Sequence, residues 1–128
     1  MSNIPADLYY TAEHEWVTDP DADGVVRVGI TDFAQDALGD VVYAQMPEAG
    51  SSVSASDVVG EVESTKSVSD IFAPLNGEVV NSNTSLDDDP ALINSDPYGQ
   101  GWLMEIRLAE AESVKGLLSA EDYKQQVG

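Results

Sequence analysis

A polar turn that contains a lysine lies between two strand-like stretches in the segment that determines the fold. Residues 59–79 read VGEVESTKSVSDIFAPLNGEV. Apolar and polar residues alternate at the start of this segment, which predicts a strand over residues 58–63 because strand side chains point alternately to opposite faces. Residues 64–70 are short, polar and turn-like. Apolar character returns at residues 71–73, and a further strand is expected at 78–81.

A glycine followed by an acidic residue and a valine opens three segments of the chain. These segments begin at Gly39, Gly60 and Gly77, and each glycine precedes a strand-like stretch. Many short strands separated by turns with glycine and proline are typical of an all-β sandwich or barrel. The sequence therefore predicts a mainly β fold, with helices added at one end.

Periodicity and turn residues divide the remainder of the chain. Further strands are expected at residues 9–17, 25–30, 40–46 and 102–108, with a turn at 19–24 and a long loop region at 82–100. Residues 110–127 have a helical composition. Ser119 has the side chain and position to cap the last helix in this tail.

A short helix is expected after the third strand-like stretch. Thr31 and Asp32 can begin it, since Asp32 and Gln35 have the spacing of a capping box. Gly39 is expected to end it, because glycine is preferred just beyond a helix. The predicted buried stripe of this helix consists of Phe33, Ala34, Ala37 and Leu38.

The chain is strongly acidic and contains no cysteine. Its 128 residues include 24 acidic side chains, 5 lysine and arginine residues and one histidine, for a formal charge of −19. This length predicts one domain, residues 1–128. The missing cysteine excludes disulfides, cysteine metal ligands and cysteine nucleophiles. So few cations cannot form the basic patch that a nucleic acid partner requires.

The distribution of charged and apolar residues also indicates the cellular compartment of the protein and the kind of organism it comes from. No apolar run approaches the ~18 residues of a membrane span, and the start of the chain lacks the features of a signal peptide. We therefore expect a cytoplasmic protein with no membrane partner. The 42% hydrophobic content favours a folded domain over disorder. Because salt screens repulsion among carboxylates, we also expect a salt-loving (halophilic) source; an ordinary acidic carrier is the alternative.

Lys66 is the informative residue of the central turn. The other two lysines, Lys115 and Lys124, each follow a glutamate by three residues, so pairing along a helix explains both. Lys66 instead has small or polar neighbours, and its ammonium group is expected to stand clear of the core. An ordinary exposed turn lysine is the alternative reading, because surface lysines are common.

Several stretches resemble one protein family in the expected order. In addition to residues 59–79, they are HEW at 14–16, VGITDFAQ at 28–35, LGDVV at 38–42 and LINSDPYGQGW at 92–102. Together they resemble the glycine cleavage system H protein family. The resemblance implies a lipoyl/biotinyl-type barrel-sandwich hybrid, a flattened β-barrel, with short helices and a helical C-terminal tail.

The resemblance also implies a carrier that catalyses nothing alone. Lys66 would carry lipoate in amide linkage. A pyridoxal-phosphate (PLP) glycine decarboxylase would load this arm with the aminomethyl group of glycine, and an aminomethyltransferase would pass the one-carbon unit to tetrahydrofolate. Dihydrolipoamide dehydrogenase, with FAD and NAD, would reoxidise the dithiol, and a lipoate-attaching enzyme would install the group.

In the family, the loaded arm folds back into a cleft on its own carrier. The positions that match Glu15 and Asp70 line this cleft, and carboxylates suit the cation of a basic aminomethyl group. Solvated surface carboxylates are the alternative reading of both residues. The family often has histidine where this chain has Phe33, so no imidazole contact is expected there, although an aromatic wall can still pack on the arm.

Other functions remain open from the sequence. A biotin carrier normally has methionine on both sides of the modified lysine, whereas Thr65 and Ser67 flank Lys66. An unmodified acidic adaptor would leave the lysine free. A lipoyl-relay protein of lipoate metabolism would keep the modification but pass the lipoyl group to other enzymes.

Two acidic motifs and one histidine carry weaker signals. Residues 19–24 read DPDADG, the first half of a calcium loop, but Ile30 replaces the glutamate of its twelfth position. An acidic hairpin turn is therefore favoured there, and a solvated loop is favoured for residues 87–89. His14 and Glu15 are adjacent in a predicted strand and would point to opposite faces. We expect His14 to be packed or hydrogen-bonded rather than catalytic.

Overall fold

Two antiparallel sheets form the framework of the computed structural model, which describes residues 3–127. The nine strands are β1 (Tyr9–Tyr10), β2 (Glu15–Val17), β3 (Val25–Ile30), β4 (Val41–Gln45), β5 (Ser52–Val53), β6 (Val58–Ser64), β7 (Val68–Phe72), β8 (Gly77–Ser82) and β9 (Met104–Leu108). One sheet has the order β1-β2-β3-β9-β8-β5, and the other has the order β4-β6-β7. The predicted mainly β fold is confirmed.

Short helices lie between and after the strands. They are α1 (Asp32–Leu38), α2 (Ser85–Asp88), α3 (Leu92–Ser95), a 3₁₀ helix (Ala111–Gly116) and α4 (Ala120–Val127). Within residues 3–127, none of the helices has the length and apolar character needed to cross a membrane.

The two sheets share one apolar core. Val28 and Ile106 come from the six-stranded sheet, Val62 and Ile71 come from the three-stranded sheet, and all four are buried in the same cluster. Full burial of such a side chain contributes about 1.5–3 kcal/mol to the free energy of folding. A second cluster contains Tyr10, Trp16, Ala120 and Tyr123, and it joins α4 to β1 and β2.

Thr31 caps α1. Its Oγ1 accepts a hydrogen bond from Ala34 N at 3.2 Å, which satisfies one of the amides that a helix leaves free at its start. The expected Asp32–Gln35 pair forms a different contact: Gln35 Nε2 donates to Asp32 Oδ1 at 2.7 Å. Gly39 ends the helix with a φ of 83°, as predicted.

The predicted buried stripe of α1 is wrong in part. Leu38 is buried, but Phe33 and Ala34 are half-buried and Ala37 is exposed. The physical reason is that this face of α1 forms the wall of an open cleft, described below, rather than packing on a sheet.

Three predicted segments need correction. The stretch at residues 9–17 is two strands, because a turn ends with His14 in a left-handed conformation, φ 67°. The turn predicted at residues 64–70 is shorter: β7 already begins at Val68, which pairs with Glu63 of β6. The polar segment 82–100 contains α2 and α3, because Leu86 and Ile93 are buried in the core.

The tail is helical as predicted, in two pieces. The 3₁₀ helix buries Val114, and Ser119 Oγ accepts from Asp122 N at 3.2 Å at the start of α4. The predicted cap at Ser119 is therefore confirmed.

Candidate functional site

Lys66 lies at the tip of the turn between β6 and β7, and its side chain is exposed. Ser64 closes this turn. Its Oγ accepts from Lys66 N at 3.3 Å and from Ser67 N at 3.1 Å, and its backbone N donates to Ser67 O at 2.8 Å. Small hydroxyl side chains that bond the nearby backbone are typical of tight turns. The turn thus holds the Lys66 backbone while leaving the amine free to project.

The Lys66 turn also rests on the segment that follows α1. Thr65 N donates to Asp40 O at 3.0 Å. The Lys66 stem passes over Gly39 so closely that a Cβ atom on that glycine would be 3.2 Å from Lys66 Cε. A side chain on residue 39 would therefore require the lysine stem to shift by a few tenths of an ångström.

Asn94 of α3 holds the same segment from below. Its Oδ1 accepts from Val41 N at 2.8 Å, and its Nδ2 donates to Gly39 O at 2.9 Å and to Gln35 Oε1 at 3.0 Å. One side chain thereby joins the end of α1 to the start of β4, directly beneath the Lys66 turn.

A cleft of about 350 Å³ opens beside this turn. Phe33 and Leu38 of α1 form one wall, and Ser67, Val68 and Asp70 form the opposite wall. Ser67 directly follows Lys66, so the cleft begins next to the lysine. The structure therefore brings Lys66, Phe33 and Asp70 into one region.

Glu15 is placed elsewhere, which corrects its assignment to the cleft wall. It is only 1% exposed and lines a separate cavity of about 230 Å³. Its Oε2 accepts from Phe72 N at 2.8 Å, and its Oε1 accepts from Thr11 Oγ1 at 3.4 Å. Burial raises the pKa of Glu15 to about 8, against the lowering effect of these hydrogen bonds. Glu15 is therefore not a solvated carboxylate but a buried support of β7.

Two cleft residues were missed in the sequence, Glu13 and His14. The turn before β2 brings both to the cleft and turns Glu15 inward. His14 is packed and hydrogen-bonded as expected: its ring centroid lies 4.9 Å from that of Phe33, and its Nδ1 is 2.8 Å from Tyr123 Oη. Its being the single histidine of the chain was the signal that could have drawn attention to it.

The outer face of the three-stranded sheet beside Lys66 mixes apolar and acidic residues. Tyr43, Glu63 and Val68 are directly opposed on β4, β6 and β7, so their side chains share one face. Tyr43 is 48% exposed and Val68 is 59% exposed. Among residues 3–127 the ion pairs involve Arg27 and Arg107, so Lys66 is not paired with a described carboxylate.

The acidic motifs form no metal centre in the described part of the chain. No group of three or more histidine and acidic side chains in residues 3–127 is arranged to hold a metal ion. Asp21 instead stabilises its own hairpin turn, because its Oδ1 accepts from Asp23 N and Val25 N. Residues 87–89 are exposed.

Comparison with known proteins gives one consistent result. The family model described as Glycine cleavage H-protein matches residues 8–128. The chain is 60% identical to the glycine cleavage system H protein of Micrococcus luteus over 96% of both chains. It is 57% identical to that of Mycolicibacterium smegmatis, covering 97% of this chain and 96% of the relative.

A solved structure extends this result to the fold. The crystal structure of a glycine cleavage system H protein from Mycobacterium marinum superimposes with a TM-score of 0.87 at 49% identity, covering 98% of this chain and 99% of that one. The flattened barrel-sandwich fold is thereby confirmed, whereas the organisms named here give no support to a salt-loving source. The chain belongs to the glycine cleavage H-protein family.

Proposed function

We propose that the lipoyl group of this glycine cleavage H protein is attached to Lys66, in amide linkage with the side-chain nitrogen. The observation that carries the proposal is the position of Lys66: an exposed lysine at the tip of a tight turn, next to a cleft, that pairs with no carboxylate within residues 3–127. Lys115 and Lys124 are also exposed, but neither of them directly precedes a residue that lines this cleft, as Lys66 precedes Ser67.

The residues around Lys66 fit an acyl arm. Acylation removes the ammonium charge, so the modified stem can lie on apolar surface. Phe33, Leu38 and Val68 supply such a surface within the cleft. When bound, lipoate supplies reversible disulfide chemistry, which the chain lacks because it has no cysteine.

Asp70 is the carboxylate that we propose to host a basic group at the end of the arm. It lies on the cleft wall and is exposed, so its charge is available to a cation that enters. Phe33 is proposed to pack on the arm from the opposite wall. Glu15 is proposed to act only through β7, whose Phe72 amide it binds.

The protein works with the other enzymes of the glycine cleavage system, and we propose the specific partners. These are the PLP-dependent glycine decarboxylase, the tetrahydrofolate-dependent aminomethyltransferase, the flavin- and NAD-dependent dihydrolipoamide dehydrogenase and a lipoate-attaching enzyme. A tethered arm raises the effective concentration of its reactive end at each partner.

We further propose that the carrier itself is non-catalytic and that residues 1–128 form one carrier domain. A cytoplasmic location and a salt-loving source stay predictions.

Intact and peptide mass spectrometry on protein from its native cells tests the attachment. The expected result is one lipoyl mass on the peptide that contains Lys66. A biotin-sized mass would favour a biotin carrier, and an unmodified Lys66 in cells that degrade glycine would overturn the proposal in favour of an adaptor. The separate choice between glycine cleavage and a lipoyl relay requires an activity measurement.

Glycine–bicarbonate exchange provides that measurement. Lys66→Arg should retain the fold and abolish exchange, because arginine keeps the charge but has no amine for the lipoyl amide. Lys115→Arg is the matched control, since Lys115 is exposed on the 3₁₀ helix, and it should exchange normally. Full activity of Lys66→Arg would contradict the carrier mechanism, and a lipoylated wild type without exchange activity would favour the relay.

A further inference from the structure

A continuous chain of hydrogen bonds links α1 and α4 to the wall of the cleft. Ala34 N donates to Thr31 Oγ1 at 3.2 Å. Thr31 Oγ1 lies 2.8 Å from Tyr123 Oη, and Tyr123 Oη lies 2.8 Å from His14 Nδ1. His14 lines the cleft that Phe33 also lines. The chain of bonds therefore ends at a group that a cleft occupant can touch.

The direction of these bonds follows from counting donors and acceptors. The Ala34 amide can only donate, so Thr31 Oγ1 accepts from it. Thr31 is fully buried, and among residues 3–127 Tyr123 Oη is the one acceptor that its hydroxyl proton reaches. Thr31 therefore donates to Tyr123, and Tyr123 donates to His14 Nδ1. The opposite direction would leave the Thr31 hydroxyl proton buried without an acceptor.

This direction fixes the state of the imidazole. A ring nitrogen that accepts a hydrogen bond has no proton, so the neutral ring carries its proton on Nε2. The buried Tyr123 contacts Nδ1 of the ring. Among the described residues, no hydrogen bond to the protein involves Nε2. Nε2–H is thus a free donor on a half-buried ring of the cleft wall.

The surroundings of His14 keep this donor uncharged. Burial lowers the pKa of His14, although the neighbouring Glu13 acts in the opposite direction. The charged side chains that line the cleft with it are Glu13 and Asp70. Tyr123 is the titratable group that meets it from α4, and burial raises the pKa of Tyr123, so this hydroxyl stays protonated.

We propose that His14 offers an uncharged Nε2–H donor to a neutral hydrogen-bond acceptor of the bound arm, such as its amide carbonyl, and that Tyr123 and Thr31 are positioning residues that fix this tautomer. The inference rests on the proposed function, because it requires an arm on Lys66. The cleft then has two chemically different recognition groups: Asp70 suits a cation, and His14 suits an acceptor without repelling that cation.

The tautomer can be measured on the unmodified protein. His14 is the single histidine, so ¹⁵N NMR of the imidazole nitrogens reports on it without ambiguity. Wild type should show a proton on Nε2 and none on Nδ1. Tyr123→Phe should shift the ring towards the tautomer mixture of free imidazole, because it removes the hydroxyl that donates to Nδ1.

Tyr10→Phe is the matched control for the tautomer. The Tyr10 ring stacks on that of Tyr123 at 4.7 Å, but its hydroxyl donates to Pro5 O, so it should leave His14 unchanged. A proton on Nδ1 in wild type, or equal effects of the two substitutions, would overturn the inference.

Loading the arm tests the contact itself. Protein verified as lipoylated by mass should be compared before and after incubation with glycine and the PLP-dependent decarboxylase, with Lys66→Arg treated alike. The His14 Nε2 signal should move on loading and stay fixed in Lys66→Arg. If loading shifts the NMR signals of Phe33 and Val68 but not those of His14, the inference about His14 is overturned and the proposed function is unaffected. Mass spectrometry before loading would reveal an unmodified Lys66. That result would overturn both the proposed function and the proposed contact between His14 and the arm.

Discussion

The stem of Lys66 lies directly over Gly39, with Cε 3.2 Å and Nζ 3.8 Å from the place that a Cβ atom of residue 39 would occupy. Gly39 also has φ 83° and ψ −162°, a backbone conformation open almost exclusively to glycine. Residue 39 ends α1, and α1 forms a wall of the cleft. The glycine therefore both ends the helix and leaves room for the lysine stem beside the cleft.

We predict that Gly39→Ala lowers the rate of lipoate attachment at Lys66. The added methyl group requires the stem to move, and the positive φ costs about 1–3 kcal/mol of the free energy of unfolding. The measurement is the initial rate of modification by a lipoate-attaching enzyme, followed by mass spectrometry.

Gly50→Ala separates these two effects. Gly50 also has a positive φ, 94°, but a Cβ there would meet no atom within 4 Å. We expect a similar loss of stability with normal lipoate attachment. Equal attachment rates in the two variants would show that the Gly39 contact is unimportant to the enzyme.

Asn94→Ala should both destabilise the protein and slow lipoate attachment. The substitution leaves Val41 N and Gly39 O without the partners that Asn94 supplies, and each unpaired buried polar group costs about 1–3 kcal/mol. The segment under the Lys66 turn should then become mobile. Denaturant unfolding and the attachment rate measure the two consequences.

Asn83→Ala is the matched control for Asn94. Asn83 also makes three hydrogen bonds, to Gln100 O, Trp102 O and Ser85 N, but these lie outside the Lys66 region. It should lose comparable stability and attach lipoate normally once folded. A slow attachment in both variants would assign the effect to general instability.

The buried Glu15 should make stability depend on pH between about 4.5 and 8. Its folded pKa is about 8, above the ordinary value of 4.5, so the folded state holds a proton that the unfolded state has released. The free energy of unfolding therefore falls as pH rises through this window, by up to about 1.4 kcal/mol per pH unit for one proton.

Glu15→Gln should remove this dependence, because glutamine accepts the Phe72 hydrogen bond without titrating. The quantity to measure is the difference between wild type and variant in the free energy of unfolding from pH 6 to pH 8, where ordinary carboxylates are already ionised. As pH rises, the free energy of unfolding of the variant should increase relative to that of wild type. Parallel pH curves would contradict the raised pKa.

Salt should stabilise the protein. A net charge of −19, with two ion pairs among residues 3–127, leaves most carboxylates unpaired, and a Debye length of about 3 Å at 1 M salt screens their repulsion. A gain of about 1–2 kcal/mol corresponds to a rise in Tm of roughly 5 °C. Sodium and potassium chloride should act alike, and a Tm that is flat up to molar salt would count against a salt-loving source.

The sequence predicted elements well where local signals act alone. The alternation of Val26, Val28 and Ile30 placed β3 at its observed bounds, and glycine at residue 39 marked the end of α1. Polar segments were misassigned where pairing between strands decides. Val68 and Asp70 are in a strand because they pair with Glu63 and Glu61 of β6, which outweighs their turn-like composition.

The same distinction applies to the site. Lys66 stood out for two reasons. Lysine is rare in this chain, and Lys66, unlike Lys115 and Lys124, does not follow a glutamate by three residues along a predicted helix. Glu15 could not be placed, because it is buried together with Trp16 and Val17 on a strand covered from both faces, a pattern that alternation does not reveal. The contact of His14 with Tyr123 spans 109 positions, and no local pattern encodes it.

That long-range contact has a consequence for synthesis on the ribosome. The Lys66 turn and its support draw on residues from 35 to 94, whereas the cleft wall at His14 is complete only when Tyr123 has left the exit tunnel. The His14 side of the cleft can therefore form only after α4 has been synthesised and has docked on β1 and β2.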